Sequence, residues 1–572
     1  MEFHSPIPCP AIPDDLTVAQ FMLDVQHPIR PVRTENVPWL IEESTGRSVG
    51  FEELRSRTYG LANAMHMRWE IGEDDVVCIL SPNHVDYPVA IWAAHRLGAV
   101  VSCANPTHTA DELVYQITTA EATVLAVHTG SLPTALAASR KAGLPADHIF
   151  LIDELKTHNP FPFPTISSLV REGLSKPHYF KERKLSPGEG KSKLAFLCFS
   201  SGTTGKSKAT ALSHYALIAN GLQVAALNRV NEDYAPWDKC RFRPGDVALG
   251  VLPFYHIYGL AVILNALLFV GLTVVVVPKF SLEGFLRTVD RFKITHLFLV
   301  PPQIVLLCKH PMVKKYDLSY IRYVISGAAP LSKELTLQLV EILPNAEIGQ
   351  GYGMTEGAIS MFLVSQRIGT LGSVGQLQPG TVARVRKADG SFAGYEEEGE
   401  LEIKGPQLAL RYTNDEKATR ETFVNGWLRT GDQVKFAKNG DIFIVDRLKE
   451  LIKVRGYQVA PAELEGHILD HPDVADVCVV GVPDDYSGEV PFAFVVLRPF
   501  ATTRAKQDPT EAEKIKHSIM KHVSDAKIKY KWLSSVEFVD AVAKNPSGKL
   551  LRRIMRDEAV KIVRNRGVRS KL

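Results

Sequence analysis

Apolar runs of strand length recur along this chain, and they restrict its fold more than any other feature. Residues 76–80, 122–127, 194–199, 294–300, 321–325 and 346–348 are short and apolar, and the early ones alternate with segments of helical character such as 53–67 and 90–97. Alternation of this kind gives an α/β layered domain. The later runs stop at Pro301-Pro302, at Ser326-Gly327-Ala328-Ala329-Pro330 and at Gln350-Gly351-Tyr352-Gly353-Met354-Thr355-Glu356, all of which read as turns. Ligand sites in such sheets gather at strand ends, so several loops are expected to converge on one pocket.

At 572 residues the chain exceeds what one hydrophobic core can organise. From about residue 372 short strands and turns replace the alternation, which suggests a β-rich subdomain. The charged segment Asp446-Arg447-Leu448-Lys449-Glu450 then reads as a hinge before a compact stretch of domain size. The expected architecture is α/β: a large layered N-terminal domain with a β-rich subdomain over residues 1–447, plus a small mobile α+β C-terminal domain over 448–572.

Ser200-Ser201-Gly202-Thr203-Thr204-Gly205-Lys206-Ser207-Lys208 follows the run at 194–199, and Ser213 is placed to cap a helix through Ala216, Leu217, Gly221 and Val224. The loop is therefore expected between a strand and a helix. Its glycines let the backbone curl, its hydroxyls and N–H groups donate, and its lysines add charge, which makes an anion cradle. It nearly spells G-x-x-x-x-G-K-[ST], but the first glycine falls on Ser200, which excludes the P-loop NTPase pattern. A solvated Ser/Thr/Gly turn is the alternative at this point.

A net charge of +3 suggests no nucleic-acid surface. Cys9, Cys78, Cys103, Cys198, Cys240, Cys308 and Cys478 form no C-x-x-C pair, so a reduced compartment is expected, without disulfides or zinc. Residues 259–277 are almost entirely apolar, but Gly271 separates a leucine-rich half from Thr273-Val274-Val275-Val276-Val277. A core helix followed by a buried strand is expected there, with no transmembrane span. The first 16 residues lack the features of a secretory signal, whereas Ser570-Lys571-Leu572 is a peroxisomal import tripeptide. It implies an import receptor as partner and the peroxisomal matrix as location.

Ser200 to Lys208, Pro253-Phe254-Tyr255-His256, Tyr352-Gly353-Met354-Thr355-Glu356, Trp427-Leu428-Arg429-Thr430-Gly431-Asp432, Asp446-Arg447-Leu448-Lys449 and Asn545-Pro546-Ser547-Gly548-Lys549 together resemble the ordered motifs of the adenylate-forming acyl-CoA synthetases. That family also holds 4-coumarate-CoA ligases, insect luciferases and peptide-synthetase adenylation domains. The resemblance covers nearly all of the chain. It implies an ATP- and Mg²⁺-dependent ligase that converts a carboxylic acid to acyl-AMP with release of pyrophosphate, then passes the acyl group to coenzyme A and releases AMP. A carboxylate is a poor acceptor for a thiol and is repelled by the α-phosphate it must attack, so metal and cationic groups have to be in place beforehand.

The resemblance assigns roles residue by residue. Lys549 bridges carboxylate and phosphate as a point charge on a long stem. Ser200, Ser201, Gly202, Thr203, Thr204, Gly205 and Lys208 grip the outer phosphates, and Glu356 holds Mg²⁺, with Thr203 as a second metal candidate and Thr355 beside the α-phosphate. Asp432 accepts from the ribose hydroxyls with Arg447 assisting. Ala328, Ala329, Gly351 and Tyr352 form the adenine slot, with Gln350 and Gly353 among the nucleotide-binding candidates. After a swing about Lys449 the second half-reaction would use Lys453 and Gln458, with Arg455 and Gly456 in the same segment. His256 would gate the acyl tunnel, and Tyr258, Val262, Gly327 and Ile359 would line the pocket. Singly, Asp432 in a turn, Glu356 in a first helical turn, Lys549 in a loop and His256 among aromatics are ordinary structural residues; the ordered set gives them roles.

Departures matter too. The loop in this family normally closes Gly-x-Pro-Lys-Gly, and Gly205-Lys206-Ser207-Lys208-Ala209 lacks the proline and last glycine, which implies altered loop mobility. Val262 stands where phenolic-acid ligases can place a hydroxyl, so an apolar fatty or aryl acid is expected as readily. A luciferase-like adenylating oxygenase shares these motifs and the terminal tripeptide. A non-catalytic nucleotide- or acyl-binding protein on this fold would need none of Lys549, Glu356 and Lys453. The Lys453 segment, with no carrier domain appended before Leu572, favours a ligase using free CoA over a peptide-synthetase module.

Overall fold

The computed structural model describes the chain apart from residues 35, 154–162, 201–206, 363–368, 456, 485–486, 546–547 and 570–572, and for 358–362 and 566–569 it gives the backbone alone. Among the described residues the strands form four sheets of seven, nine, six and five strands.

The seven-stranded sheet is centred on parallel Val76–Leu80, Val100–Ala104, Ala122–Val127 and Leu194–Ser200. The nine-stranded sheet is centred on parallel Val247–Gly250, Thr273–Val276, His296–Leu299, Tyr323–Ser326 and the start of Glu347–Met354. Helices Phe51–Trp69, Tyr87–Leu97 and His214–Leu227 lie between them with the helix Tyr258–Leu267. Their Leu61, Trp92, Leu222 and Leu264 join Val77 and Val101 of one sheet and Ala248, Phe298 and Ile325 of the other in a single core. Further helices cover the outer faces, where Leu113 and Ala135 meet Cys78 and Leu125, and Phe285 and Leu339 meet Leu297 and Val324. Strands buried on both faces need apolar residues throughout, which is why these runs read as continuous rather than alternating.

The apolar stretch 259–277 is, as expected, a buried helix and then a strand. The helix is wound more widely than an α-helix, and Asn265 Nδ2 donates to the Leu260 carbonyl five residues back at 2.7 Å. No helix among the described residues is long and apolar enough to cross a membrane.

Two expectations are corrected. The loop after Ser200 does not run into a helix: Lys208–Ser213 is a strand antiparallel to Leu194–Ser200, and the helix begins only at His214, where Ser213 Oγ accepts from the Ala216 amide at 3.1 Å. Ala209 and Ala211 are buried, and the strand is paired on its other edge by Arg411–Tyr412, so its backbone groups are satisfied from both sides. The segment from Gln350 is likewise no turn. It continues the strand Glu347–Met354, which pairs antiparallel with Ala358–Phe362.

The six-stranded sheet, built from Val382–Arg386, Glu398–Lys404, Trp427–Phe436 and Ile442–Arg447, is the expected β-rich part. Unforeseen in the sequence, Glu2–His4 adds an edge strand, and Phe3 stacks on Phe436 with ring centroids 4.0 Å apart. The five-stranded sheet lies wholly beyond residue 451. Val477, Val479 and Val495 on one face pack under helices Pro461–Ile468 and Pro509–Ala526, and Cys478, Phe492 and Phe494 on the other meet Met555 and Ala559 of Arg552–Arg569. A large α/β domain and a small α+β domain result.

Candidate active site

Carboxylates from separate strands and turns meet beside a lysine from the small domain. Asp432 sits opposite Arg447 in the antiparallel pair Trp427–Phe436 and Ile442–Arg447 and is only 3% exposed. Its Oδ2 accepts from the Tyr352 hydroxyl at 2.5 Å and its Oδ1 lies 3.2 Å from Arg447 Nε. Burial raises the Asp432 carboxyl above its ordinary range, and Arg447, the Tyr352 hydroxyl and Lys549 act against that rise. The tie leaves acceptor capacity on both oxygens, as a pair of vicinal hydroxyls would require.

Glu356 is buried in the turn between Glu347–Met354 and Ala358–Phe362, and its Oε1 accepts from the Tyr412 hydroxyl at 2.8 Å. The Lys208 ammonium lies 4.7 Å above the Tyr412 ring. Ser200 ends the preceding strand and is paired with Lys208.

Lys549 enters from the small domain on a tight turn, where its amide donates to Asn545 Oδ1 and its carbonyl accepts from the Asn545 amide, both at 2.9 Å. Gly548 has φ +81°, and a Cβ there would come within 3.2 Å of Val300 Cγ2 in the large domain, so this turn is docked closely. Burial and the Arg447 charge bring the Lys549 ammonium down to about 8, against the opposing pull of Glu450, Asp432 and Glu356. Desolvation, and then Lys549, hold His256 down at about 4, so the ring is neutral. His256 Nδ1 accepts from the Tyr258 amide at 3.3 Å.

Ala328, at φ +69°, and Ala329 follow Tyr323–Ser326, and Gly351 and Tyr352 lie on the neighbouring strand, where Ser326 is paired with Gln350. Ala328 and Gly353 are exposed, whereas Gln350 is buried and its Oε1 accepts from the Leu331 amide at 2.7 Å. Thr355 is half-buried next to Glu356. Gly327 packs against Tyr258, since a Cβ there would fall 2.7 Å from the ring, and Val262 is fully buried in the core.

Lys453, Arg455 and Gln458 are not brought to this cluster. They stand exposed on the hairpin Ile452–Val454 and Tyr457–Val459, where Lys453 faces Gln458 across the strands. The Lys453 amide donates to Glu489, and Arg455 Nε to Ser487 Oγ at 3.2 Å. Ser201, Gly202, Thr203, Thr204, Gly205, Gly456, Ser570, Lys571 and Leu572 lie outside the described residues, as does the side chain of Ile359. Tyr412 was missed by the sequence reading. It lies in none of the quoted motifs, and a lone tyrosine beside Arg411 carries no signal by itself.

Residues 29–413 match the family described as AMP-binding enzyme, and residues 463–549 match the AMP-binding enzyme C-terminal domain. The chain belongs to the AMP-binding enzymes. Among these adenylate-forming proteins it is 36% identical over 570 residues to 4-coumarate--CoA ligase 2 of Oryza sativa subsp. japonica, covering 97% of this chain and 94% of the relative. Peroxisomal OPC-8:0-CoA ligase 1 of Arabidopsis thaliana is 35% identical over 560 residues, covering 96% and 94%. The solved structure of ATP-bound MatB from Rhodopseudomonas palustris is 26% identical with a TM-score of 0.79, covering 96% of this chain and 99% of that one. Membership of the adenylate-forming family makes this an ATP-dependent enzyme of the AMP-forming acid–CoA ligase class.

Proposed function

We propose that this enzyme joins an apolar fatty or aryl carboxylic acid to coenzyme A through an acyl-AMP intermediate. The observation that carries the reading is Lys549, delivered by the small domain into the field of Asp432 and Glu356 on the large one. In this reading Asp432 and Arg447 orient the ribose, Lys208 and the loop hold the outer phosphates, and the Lys549 ammonium draws the substrate carboxylate against the α-phosphate. Mg²⁺ suits hard oxygen donors and takes one or two carboxylates together with phosphate oxygens. Glu356 offers such a donor, with Thr355 beside the α-phosphate, and the ion would neutralise phosphate charge there.

Domain rotation near Lys449 would then withdraw Lys549 and bring Lys453 and Gln458 to the acyl-AMP for attack by the CoA thiol. The contrast between a docked Lys549 and an exposed Lys453 supports this order. Support for an apolar acid comes from the buried Val262 and from Tyr258, whose hydroxyl is turned to the Ile325 carbonyl at 3.4 Å and leaves the ring as wall. The relatives' names span 4-coumarate and OPC-8:0, so they do not choose among acids. Neutral His256 would guard the acyl entrance.

A panel of acids assayed for pyrophosphate release, and for AMP release that depends on CoA, tests the reading. Release with medium- or long-chain or aryl acids is expected; turnover confined to small polar acids overturns the pocket assignment. We also propose delivery to the peroxisomal matrix through Ser570-Lys571-Leu572. An N-terminally tagged protein lacking that tripeptide is expected to stay in the cytosol, and continued import overturns the proposal.

A further inference from the structure

The segment 409–413 straps together the two halves of the site that the sequence motifs leave separate. The Ala409 amide donates to the Glu356 carbonyl at 2.8 Å, the Leu410 amide to Ala211 at 2.9 Å and the Thr413 amide to Ala209 at 2.7 Å. At its centre Tyr412 lies opposite Thr210 in the strand that leaves the anion cradle. Tyr412 is buried, its hydroxyl is 2.8 Å from Glu356 Oε1, and its ring carries the Lys208 ammonium at 4.7 Å.

We propose that Tyr412 is a positioning residue that holds the Glu356 carboxylate in the orientation for the metal ion and seats Lys208 for the phosphates. Its hydroxyl donates to one carboxylate oxygen and so leaves the other for the ion, while its face confines a long, flexible ammonium that otherwise samples many rotamers. One side chain thereby fixes the spacing between the metal ligand and the phosphate-binding cation. This rests on the reading of Glu356 as the Mg²⁺ ligand.

Tyr412→Phe removes the hydroxyl and keeps the ring; Tyr412→Leu removes both. Binding of Mn²⁺ is measured by electron paramagnetic resonance on the full-length enzyme with a non-hydrolysable ATP analogue, next to the Mg²⁺ dependence of pyrophosphate release. Tyr412→Phe is expected to weaken Mn²⁺ about three- to tenfold and to raise the Mg²⁺ requirement to match, with kcat recovered at saturating metal. Tyr412→Leu is expected to lose a further two- to fivefold, roughly, in metal-free binding of the analogue. Glu356→Gln is the reference. If it weakens Mn²⁺ and Tyr412→Phe does not, the positioning role is overturned; if neither does, it is Glu356 as metal ligand that fails. Should Tyr412→Phe not fold, Tyr412→Leu, which also lacks the hydroxyl, takes its place, with at least the same weakening of Mn²⁺ expected and wild-type affinity counting against the proposal.

Discussion

The small domain carries two lysines in opposite circumstances. Lys549 sits on a tight turn pressed against Val300 and in reach of three acidic side chains, one of them on its own side of the hinge and two on the large domain. Lys453 stands exposed on a hairpin, with its amide donating to Glu489 of the same domain. Both lysines belong to the small domain: Val454 of the Lys453 hairpin pairs with Gly488, whose strand runs on to Leu497, and the Lys549 turn follows Ser535–Phe538, which pairs with that same strand. Two lysines on different faces of one body cannot serve one site at the same moment. The difference teaches that, under the proposed reading, this arrangement would suit the first half-reaction and the second would need the body to turn.

The comparison breaks most sharply at Lys549. Lys549→Ala is expected to lower acid-dependent pyrophosphate release by about 10²–10³-fold, the cost of removing one preorganised charge from a transition state, while the nucleotide still binds. Undiminished release would leave the docked turn without a catalytic purpose. Lys453→Ala is expected to do the reverse: acyl-AMP accumulates, and the single-turnover rate of thioester formation falls about 10²-fold, as for loss of a group that orients the attack. Equal loss in both half-reactions would mean that the two lysines do not divide the work.

A smaller effect follows from the position of Lys549 near pH 8. The ammonium is charged below that value and neutral above it, so pyrophosphate release at subsaturating ATP is expected to be level below pH 8 and to fall toward about tenfold per unit above it. Bound phosphates are anionic and favour the charged form, so saturating ATP should move the break upward. A rate that rises through pH 8 would mean that the amine acts as a base.

Much of this contrast was legible in the sequence, for a physical reason. Strands buried on both faces write themselves as apolar runs, and groups that must meet phosphate or carboxylate write themselves as Gly, Lys, Asp and Glu at the ends of those runs. Asp432, Glu356 and Lys549, ordinary residues when taken singly, were visible through the resemblance that the ordered motifs carry. Contacts made by partners remote in sequence left no local trace. The edge strand Glu2–His4 depends on residues near 384, and Tyr412 depends on Glu356 and on the strand after the cradle. The strand Lys208–Ser213 was obscured by its own composition, since Lys208-Ala209-Thr210-Ala211 has little β propensity and is held as strand by pairing on both edges.

That pairing also changes the meaning of Ala209. Beside its relatives the residue looked like a lost glycine at the end of a mobile loop, but it lies 1% exposed in a strand, opposite Phe199 and accepting from the Thr413 amide at 2.7 Å. A glycine at such a position adds backbone freedom to the unfolded chain and removes a buried methyl. Ala209→Gly is therefore expected to cost about 0.5–1 kcal/mol of stability in chemical denaturation, with ATP affinity changed less than twofold. A large change in affinity with little change in stability would return Ala209 to the phosphate loop.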